Sequence, residues 1–274
     1  MASSPEVDQA LGEPQALGEP EVPSAAQLDR ADSLQIAVVT LFPELFEQFL
    51  QTSFVGRAQA SGLMHVFLVQ LRDFGLGNHK SVDDTPYGGG AGMVMRVDCV
   101  VAAIEHAETL LGGRAHRLLM TPQGTPHSAQ GARRLAAHER LVLVCGRYEG
   151  FDERVRVHMD EEISLGDFVL TGGEIPAMAV IESAIRFRPG VLGSEDSVRE
   201  ESFSDALEGG LEYPQYTRPA EFRGLGIPDV LKSGDHKKIE AFRRETSKKR
   251  TQTRRPDLIA RHETLTDRKA KAPK

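Results

Sequence analysis

Three stretches of the 274-residue chain set ionisable side chains among glycines in ways that suit chemistry. The first, Leu141 to Ala177, reads LVLVCGRYEGFDERVRVHMDEEISLGDFVLTGGEIPA. It opens on an apolar run ending at Cys145 and Gly146, and closes on a second apolar run broken by Gly166 and stopped by Gly172 and Gly173. Arg147, Tyr148, Glu149, Asp152 and Glu153 lie between these runs. Glycine at a strand end lets the backbone turn tightly or approach a ligand, so the pattern suggests a pocket with carboxylates beside it. The second stretch, Asn78 to Met95 (NHKSVDDTPYGGGAGMVM), carries paired acids at Asp83 and Asp84 before a loop of Gly88, Gly89, Gly90 and Gly92. The third begins at Arg186 and Arg188, near the end of an apolar helical pattern, and continues into GSEDSVREESFSDALEGG with Glu200, Glu201 and Ser202. Each also has a plainer reading: turns for the glycines, helix-dipole partners for the arginines, a solvated linker for the acidic segment.

Several classes are disfavoured by what is missing. The glycine loop lacks the Gly-Lys-Ser/Thr ending of a phosphate-binding loop and the spacing of a dinucleotide fingerprint. Cys99 and Cys145, far apart and both in apolar surroundings, read as buried reduced thiols rather than a disulfide framework or metal site. No apolar run reaches membrane-spanning length, and the chain does not start with a basic stretch followed by an apolar core, so cytoplasm is the expected location.

The elements that must hold these residues alternate. Gln35–Phe42, His65–Leu71, Arg117–Met120 and the run before Cys145 read as strands. Helical spacing covers the segment after Pro43, with Leu45, Phe46, Phe49 and Leu50. It covers Val97–Leu111 with Val97, Val100, Val101 and Ile104, and Gly131–His138. It returns over Glu174–Phe187 with Met178, Ile181 and Ile185, where Pro176 suits the first turn. Strands alternating with helices predict an α/β fold with a mainly parallel sheet. From Leu211 the chain turns Pro- and Gly-rich, and a basic helix over Gly234–Arg250 follows. Residues 232–274 carry fifteen Lys or Arg against six Asp or Glu, a local +9 in a chain of −7, which points to a polyanion partner. Residues 1–33, with two LGEP repeats and seven acids against one Arg, read as a disordered extension.

CGRYEGFDERV, SLGDFVLTGGEIPAM and VDDTPYGGGAGM together resemble the bacterial tRNA (guanine-N1)-methyltransferases of the SPOUT class, the TrmD type, over about Gln35–His262. The resemblance implies a deep trefoil knot, an exception to the rule against threaded loops, and a homodimer binding S-adenosylmethionine at its interface. It divides the chain into a catalytic domain over 34–193, an interdomain linker over 194–210, a small helical tRNA-binding domain over 211–262 and a basic tail over 263–274. The methyl-donor pocket it implies comprises Leu119, Met120, Thr121, Pro122, Gly146, Tyr148, Glu149, Ser164, Leu165, Gly166, Asp167, Phe168, Val169, Leu170, Gly172, Gly173 and Pro176. Glu149 faces either the sulfonium or a guanine edge. Asp83, Tyr87, Gly88, Gly90, Gly92 and Met93 are implied to lie against the target guanine, immediately 3′ of the anticodon. The same resemblance makes Glu201 the general base, with Arg186 at O6 and Ser202 beside them. It also implies Mg2+, for which the sequence shows no ligand cluster. Family members commonly carry Asp where this chain has Glu201, and Glu200 is an adjacent rival. Two other classes fit parts of the chain: a non-catalytic RNA-binding protein, and an enzyme gripping nucleotide phosphate with the glycine loop.

Overall fold

The computed structural model describes residues 33–192 and 200–260. The first strand, β1 (Leu34–Thr40), has all seven residues buried. On either side are β2 (Met64–Gln70) and β6 (Arg140–Cys145), and β5 (His116–Pro126) and β7 (Glu161–Ser164) complete a five-stranded sheet ordered β2-β1-β6-β5-β7. Every pairing in it is parallel. A strand buried on both faces needs apolar residues throughout, which is why LQIAVVT and RLVLVC do not alternate with polar positions.

Side-chain alternation divides the core into two layers. Leu34, Ile36 and Val38 of β1 join Leu118 and Met120 of β5 and Leu141, Leu143 and Cys145 of β6 on one face. There they meet α2 (Ser53–Ala60) and α5 (Glu174–Ile185). Ala37, Val39, Leu119, Val142 and Val144 face the other way, onto α3 (Val97–Leu110). Helix α4 (Ala129–Ala136), capped by the Ser128 hydroxyl accepting from the Gly131 N–H at 3.1 Å, packs beside α5.

Four segments depart from the sequence reading. The helix expected after Pro43 is a 3-10 turn (Pro43–Phe46), then α1 (Glu47–Gln51), then α2, because Thr52 is extended between them (φ −108°, ψ 149°). Leu45 is therefore exposed rather than core. The buried stripe of α3 is Cys99, Val100, Ala103, Ile104 and Ala107, turned away from Val101. Strand β5 does not stop at Met120; it loses register there and rejoins β7 at Thr125. The apolar run Phe168–Leu170, expected as a strand end, is an exposed loop.

Beyond the sheet, β8 (Glu221–Phe222) and β9 (Leu225–Gly226) form a small hairpin, and α6 (His236–Arg254) is capped by Asp235, which accepts from the Lys238 N–H at 3.2 Å. Residues 200–210, read as linker, are folded against α6. The Leu211 N–H donates to Thr251 Oγ1 at 2.9 Å, and Ser247 Oγ donates to the Leu211 carbonyl at 2.6 Å. Two buried hydroxyls on α6 thus satisfy backbone groups that a free linker would leave to water. Residues 194–199 of the expected linker, the extension before Ser33 and the tail after residue 260 lie outside the described residues. Among the described residues no helix is long and apolar enough to cross a membrane.

Candidate active site

Parallel strands leave their ligand sites at their carboxyl ends, and a cleft lies there. It occupies about 270 Å³ between the register break within β5 (Met120–Gln123) and the exits of β6 (Gly146 to Glu153) and β7 (Ile163 to Gly173). Of the residues expected to hold the methyl donor, Met120, Thr121, Pro122, Gly146, Tyr148, Glu149, Ser164 and Leu165 line it, as do Phe168, Val169, Leu170, Gly172, Gly173 and Pro176. Leu119, Gly166 and Asp167 do not. Leu119 is next to Met120 on a strand, so its side chain points to the opposite core layer. Gly166 instead closes a turn: its N–H donates to Ser164 Oγ at 3.1 Å, and Ser164 Oγ donates to its carbonyl at 3.0 Å.

The paired glycines, both in the cleft wall, are also small because the surrounding chain packs tightly on them. Gly173 has ordinary helical angles (φ −84°, ψ −2°), not a left-handed conformation. A Cβ there would stand 2.7 Å from the Cys145 Cα and 2.8 Å from the Gly146 nitrogen, where the Gly173 N–H donates to the Gly146 carbonyl at 2.9 Å. A Cβ on Gly172 would strike the Arg147 and Glu174 side chains. Both glycines therefore let the β6 and β7 exits close on each other.

That contact holds a buried charge. Glu174, 2% exposed at the start of α5, receives Thr40 Oγ1–H at 2.9 Å and Arg147 Nη2 at 3.1 Å. The Arg147 guanidinium lies 4.4 Å from the Phe42 ring centroid, and the Arg147 N–H points at Met95 Sδ, 3.1 Å away. The sequence marked Arg147 without a role and missed Thr40. Its signal was a hydroxyl at the end of an otherwise apolar strand. Phe151, Thr171, Gln123 and Arg156 are further cleft residues that sequence reasoning did not name. Arg156 pairs with Glu162 and Gln123. Asp152 is drawn down to about 2 by hydrogen bonding from the Arg154 side chain, and so stays ionised. Burial pushes the Cys145 thiol well above its usual range, leaving it an inert neighbour of Gly146.

The glycine loop is the tip of a hairpin between β3 (Asp83–Asp84) and β4 (Val94–Met95). Gly88, Gly89, Gly90 and Gly92 have φ of 87°, 79°, 135° and 83°, values that L side chains rarely adopt. Asp84 anchors the base through Arg96 at 3.0 Å, Asp83 pairs with Met95, and Tyr87 stands wholly in solvent. The returning arm is tied to the cleft wall. The Glu149 N–H donates to the Met93 carbonyl at 3.0 Å, and the Met95 N–H to the Gly150 carbonyl at 2.8 Å. A Cβ on Gly92 would meet Glu149 Cγ at 2.5 Å. Glu149 and Gly150 line the cleft; Asp83, Tyr87, Gly88, Gly90, Gly92 and Met93 do not.

Arg186 caps the far end of α5 and forms an ion pair with Glu201. Glu200, the adjacent carboxylate, is taken by Tyr213, whose hydroxyl donates to it at 2.8 Å. Burial, then that carboxylate, raises the Tyr213 phenol. Ser202 Oγ accepts from the Glu212 N–H at 3.1 Å. None of Arg186, Glu201 and Ser202 lines the cleft of its own chain. Among the described residues no group of three or more His, Cys, Asp or Glu side chains is placed to hold a metal ion.

A family profile described as tRNA (Guanine-1)-methyltransferase TrmD matches residues 34–261. The chain belongs to that family. Its relatives include proteins named tRNA (guanine-N(1)-)-methyltransferase from Sorangium cellulosum (strain So ce56) and Bacillus pumilus (strain SAFR-032). The first is 56% identical over 245 residues, 82% of this chain and 93% of the relative. The second is 48% identical over 235 residues, 85% of this chain and 95% of the relative. A protein of the same name from Geotalea uraniireducens (strain Rf4) is 52% identical over 227 residues, 82% of this chain and 90% of its own length.

Proposed function

We propose that this chain transfers a methyl group from S-adenosylmethionine to N1 of the guanine immediately 3′ of the anticodon in tRNA. Family membership supports the reaction class. The observation that carries the site assignment is the Arg186–Glu201 ion pair, which joins the end of α5 to the segment after the undescribed stretch. Guanine N1 bears a proton and is a poor nucleophile until that proton leaves. Glu201 takes the proton, and the N–H electron pair remains on N1 to attack the methyl carbon. Arg186 donates to O6, where negative charge develops, and this is the larger contribution when the donor is pre-aimed. For guanine to reach both, it displaces their mutual pairing. Glu200 instead accepts from the Tyr213 hydroxyl.

The donor supplies an electrophilic methyl on a sulfonium, whose bonding pair leaves with sulfur. Backbone groups at Met120–Pro122, Gly146, Leu165 and Phe168–Leu170 suit adenosine, with Leu165 and Leu170 over its ring faces. Glu149 stands between the cleft and the glycine loop, so its carboxylate serves the donor or the guanine edge. Asp83, Tyr87, Gly88, Gly90, Gly92 and Met93 form the mobile wall against the guanine.

The working unit in this reading is a homodimer. Arg186 and Glu201 lie off the cleft of their own chain, and Phe168, Val169 and Ile175 leave apolar surface exposed next to it. A second copy covers that surface and brings the base to the donor. The three strand exits enclosing the cleft would form the trefoil knot, within a catalytic domain over 34–193. Residues 194–210 would join it to the helical tRNA-binding domain over 211–262, whose α6 suits phosphate contacts. Such an enzyme works in the cytoplasm, with its tRNA.

Incubation of the full chain with unmodified total tRNA and labelled donor tests the proposal. Digestion should yield labelled 1-methylguanosine from the position after the anticodon. Label at another base, or none from protein that binds tRNA, refutes it.

A further inference from the structure

The β8–β9 hairpin exposes apolar surface that the methyl-transfer reading leaves unused. Phe222 is 60% exposed and its cross-strand partner Leu225 is 76% exposed. Directly paired residues in an antiparallel ladder share a face, so the two form one small apolar plate. Two positive-φ residues, Arg223 (51°) and Gly224 (76°), make the turn. This tight turn returns the Arg223 guanidinium over the Phe222 ring, 5.1 Å from its centroid. No carboxylate among the described residues pairs with Arg223.

The hairpin leads, through one short turn, into a strongly basic element. The Ile227 N–H donates to the Ala220 carbonyl at 3.0 Å, closing the base of the hairpin. The next residues form a 3-10 turn, Asp229–Lys232, that packs on α6. That helix carries eight Lys or Arg against two Glu. A plate of two side chains is far too small for a protein–protein interface. An aromatic ring with a planar guanidinium, next to a cationic helix, suits an unpaired base on a polyanionic strand.

We propose that Phe222, with Arg223 and Leu225, is a stacking platform for an unpaired nucleobase of the tRNA substrate. The inference rests on the tRNA reading above and adds a base contact to its phosphate contacts. The ring supplies a π face to the base, Arg223 adds cation–π contact, and Leu225 covers the base edge from water.

The test uses the full chain and a labelled, unmodified tRNA transcript, with binding followed by anisotropy over a range of salt. Phe222→Ala should weaken binding about five- to 150-fold, the range of one base–aromatic stack. Phe222→Leu should weaken it similarly, because it keeps apolar bulk without a π face, whereas Phe222→Trp should restore binding. Donor affinity and melting temperature should not change. The salt slope should stay at the wild-type value for Phe222→Ala, since no phosphate contact is lost, but become shallower by about one for Lys248→Gln on α6. Wild-type tRNA affinity in both Phe222→Ala and Phe222→Leu overturns the platform while leaving the methyltransferase reading intact. Loss of self-association in Phe222→Ala with unchanged tRNA affinity overturns it too, and makes the plate a contact between copies. A wild-type chain that binds no tRNA overturns both readings.

Discussion

Replacing Glu174 with Ala should be among the most destabilising single changes near the cleft. The carboxylate is 2% exposed and answers two donors, Thr40 Oγ1 at 2.9 Å and Arg147 Nη2 at 3.1 Å. Its removal leaves a guanidinium and a hydroxyl without their acceptor. Breaking a buried pair in this way costs about 3–5 kcal/mol. The Arg147 side chain keeps 23% exposure and its Phe42 contact, so partial hydration moves the expected value to the lower end, about 3 kcal/mol. That is a large share of the roughly 5–15 kcal/mol that holds a domain folded. Glu174→Gln keeps an acceptor for Thr40 and should cost about 1.5–3 kcal/mol, the value of a charged hydrogen bond. Arg147→Met combined with Glu174→Ala should cost less than the sum of the two, because neither partner is then stranded. Urea melts of wild type, the three single variants and the double variant measure these differences. Calorimetry should also show weaker donor binding in Glu174→Ala, since Arg147 lines the cleft. A Glu174→Ala protein within about 1 kcal/mol of wild type, the cost of an ordinary substitution, would refute the buried-pair argument.

Four further outcomes are expected. Glu201→Gln should slow single-turnover methylation by about 10²–10⁴-fold with little change in either affinity, while Glu200→Gln, which keeps an acceptor for the Tyr213 hydroxyl, should leave that rate nearly unchanged. Gly173→Val should lower the melting temperature sharply, because its Cβ meets Cys145 and Gly146 backbone; a normal melt with lost donor binding would return Gly173 to a ligand-facing role. Removal of Tyr213–Lys274 should abolish tRNA binding and spare part of the donor binding, and the full chain's tRNA affinity should fall steeply with salt. Burial raises the Glu108 carboxyl, but hydrogen bonds from Arg117, the Ala115 N–H and Arg114 outweigh it and bring it from 4.5 to about 2. A depressed carboxylate pKa adds stability above the unfolded value that is lost as pH falls. Wild type should therefore weaken between about pH 4.5 and 2, and Glu108→Gln should flatten that part of the profile.

The sequence made the parallel sheet legible because β1 and β6 are short, β-rich and mostly apolar, and helical segments separate them. It misled where tertiary contacts overrode local pattern. Phe168–Leu170 is as apolar as a strand, yet it follows Gly166, whose carbonyl accepts from the Phe168 N–H and turns the chain outward. The break at Thr52 has no sequence mark of its own. The glycines at 146, 172 and 173 were visible as a site, but their neighbours were not. Nothing in the spacing shows that Gly173 abuts Cys145, or that Thr40 reaches Glu174 across 134 positions. The region 200–210 looked like linker by composition, yet its backbone closes on itself, the Phe203 N–H donating to the Gly210 carbonyl, and Leu211 just after it is held by Ser247 and Thr251, some forty residues later.

The backbone bonds from Glu149 to Met93 and from Met95 to Gly150 make the arm of the glycine hairpin continuous with one wall of the cleft proposed for the donor. Two ligands that press on opposite sides of one ladder are linked thermodynamically. If filling the cleft shifts the arm between its accessible positions, the free energy of that shift appears in RNA affinity. Linkage then requires RNA to change donor affinity by the same factor. Glycines at 88, 89, 90 and 92 let the outer tip rearrange without opposing the shift, so the coupling is concentrated in the four residues of the tie. Order of addition would then be a property of the ladder itself, written into a few backbone hydrogen bonds rather than into a separate lid.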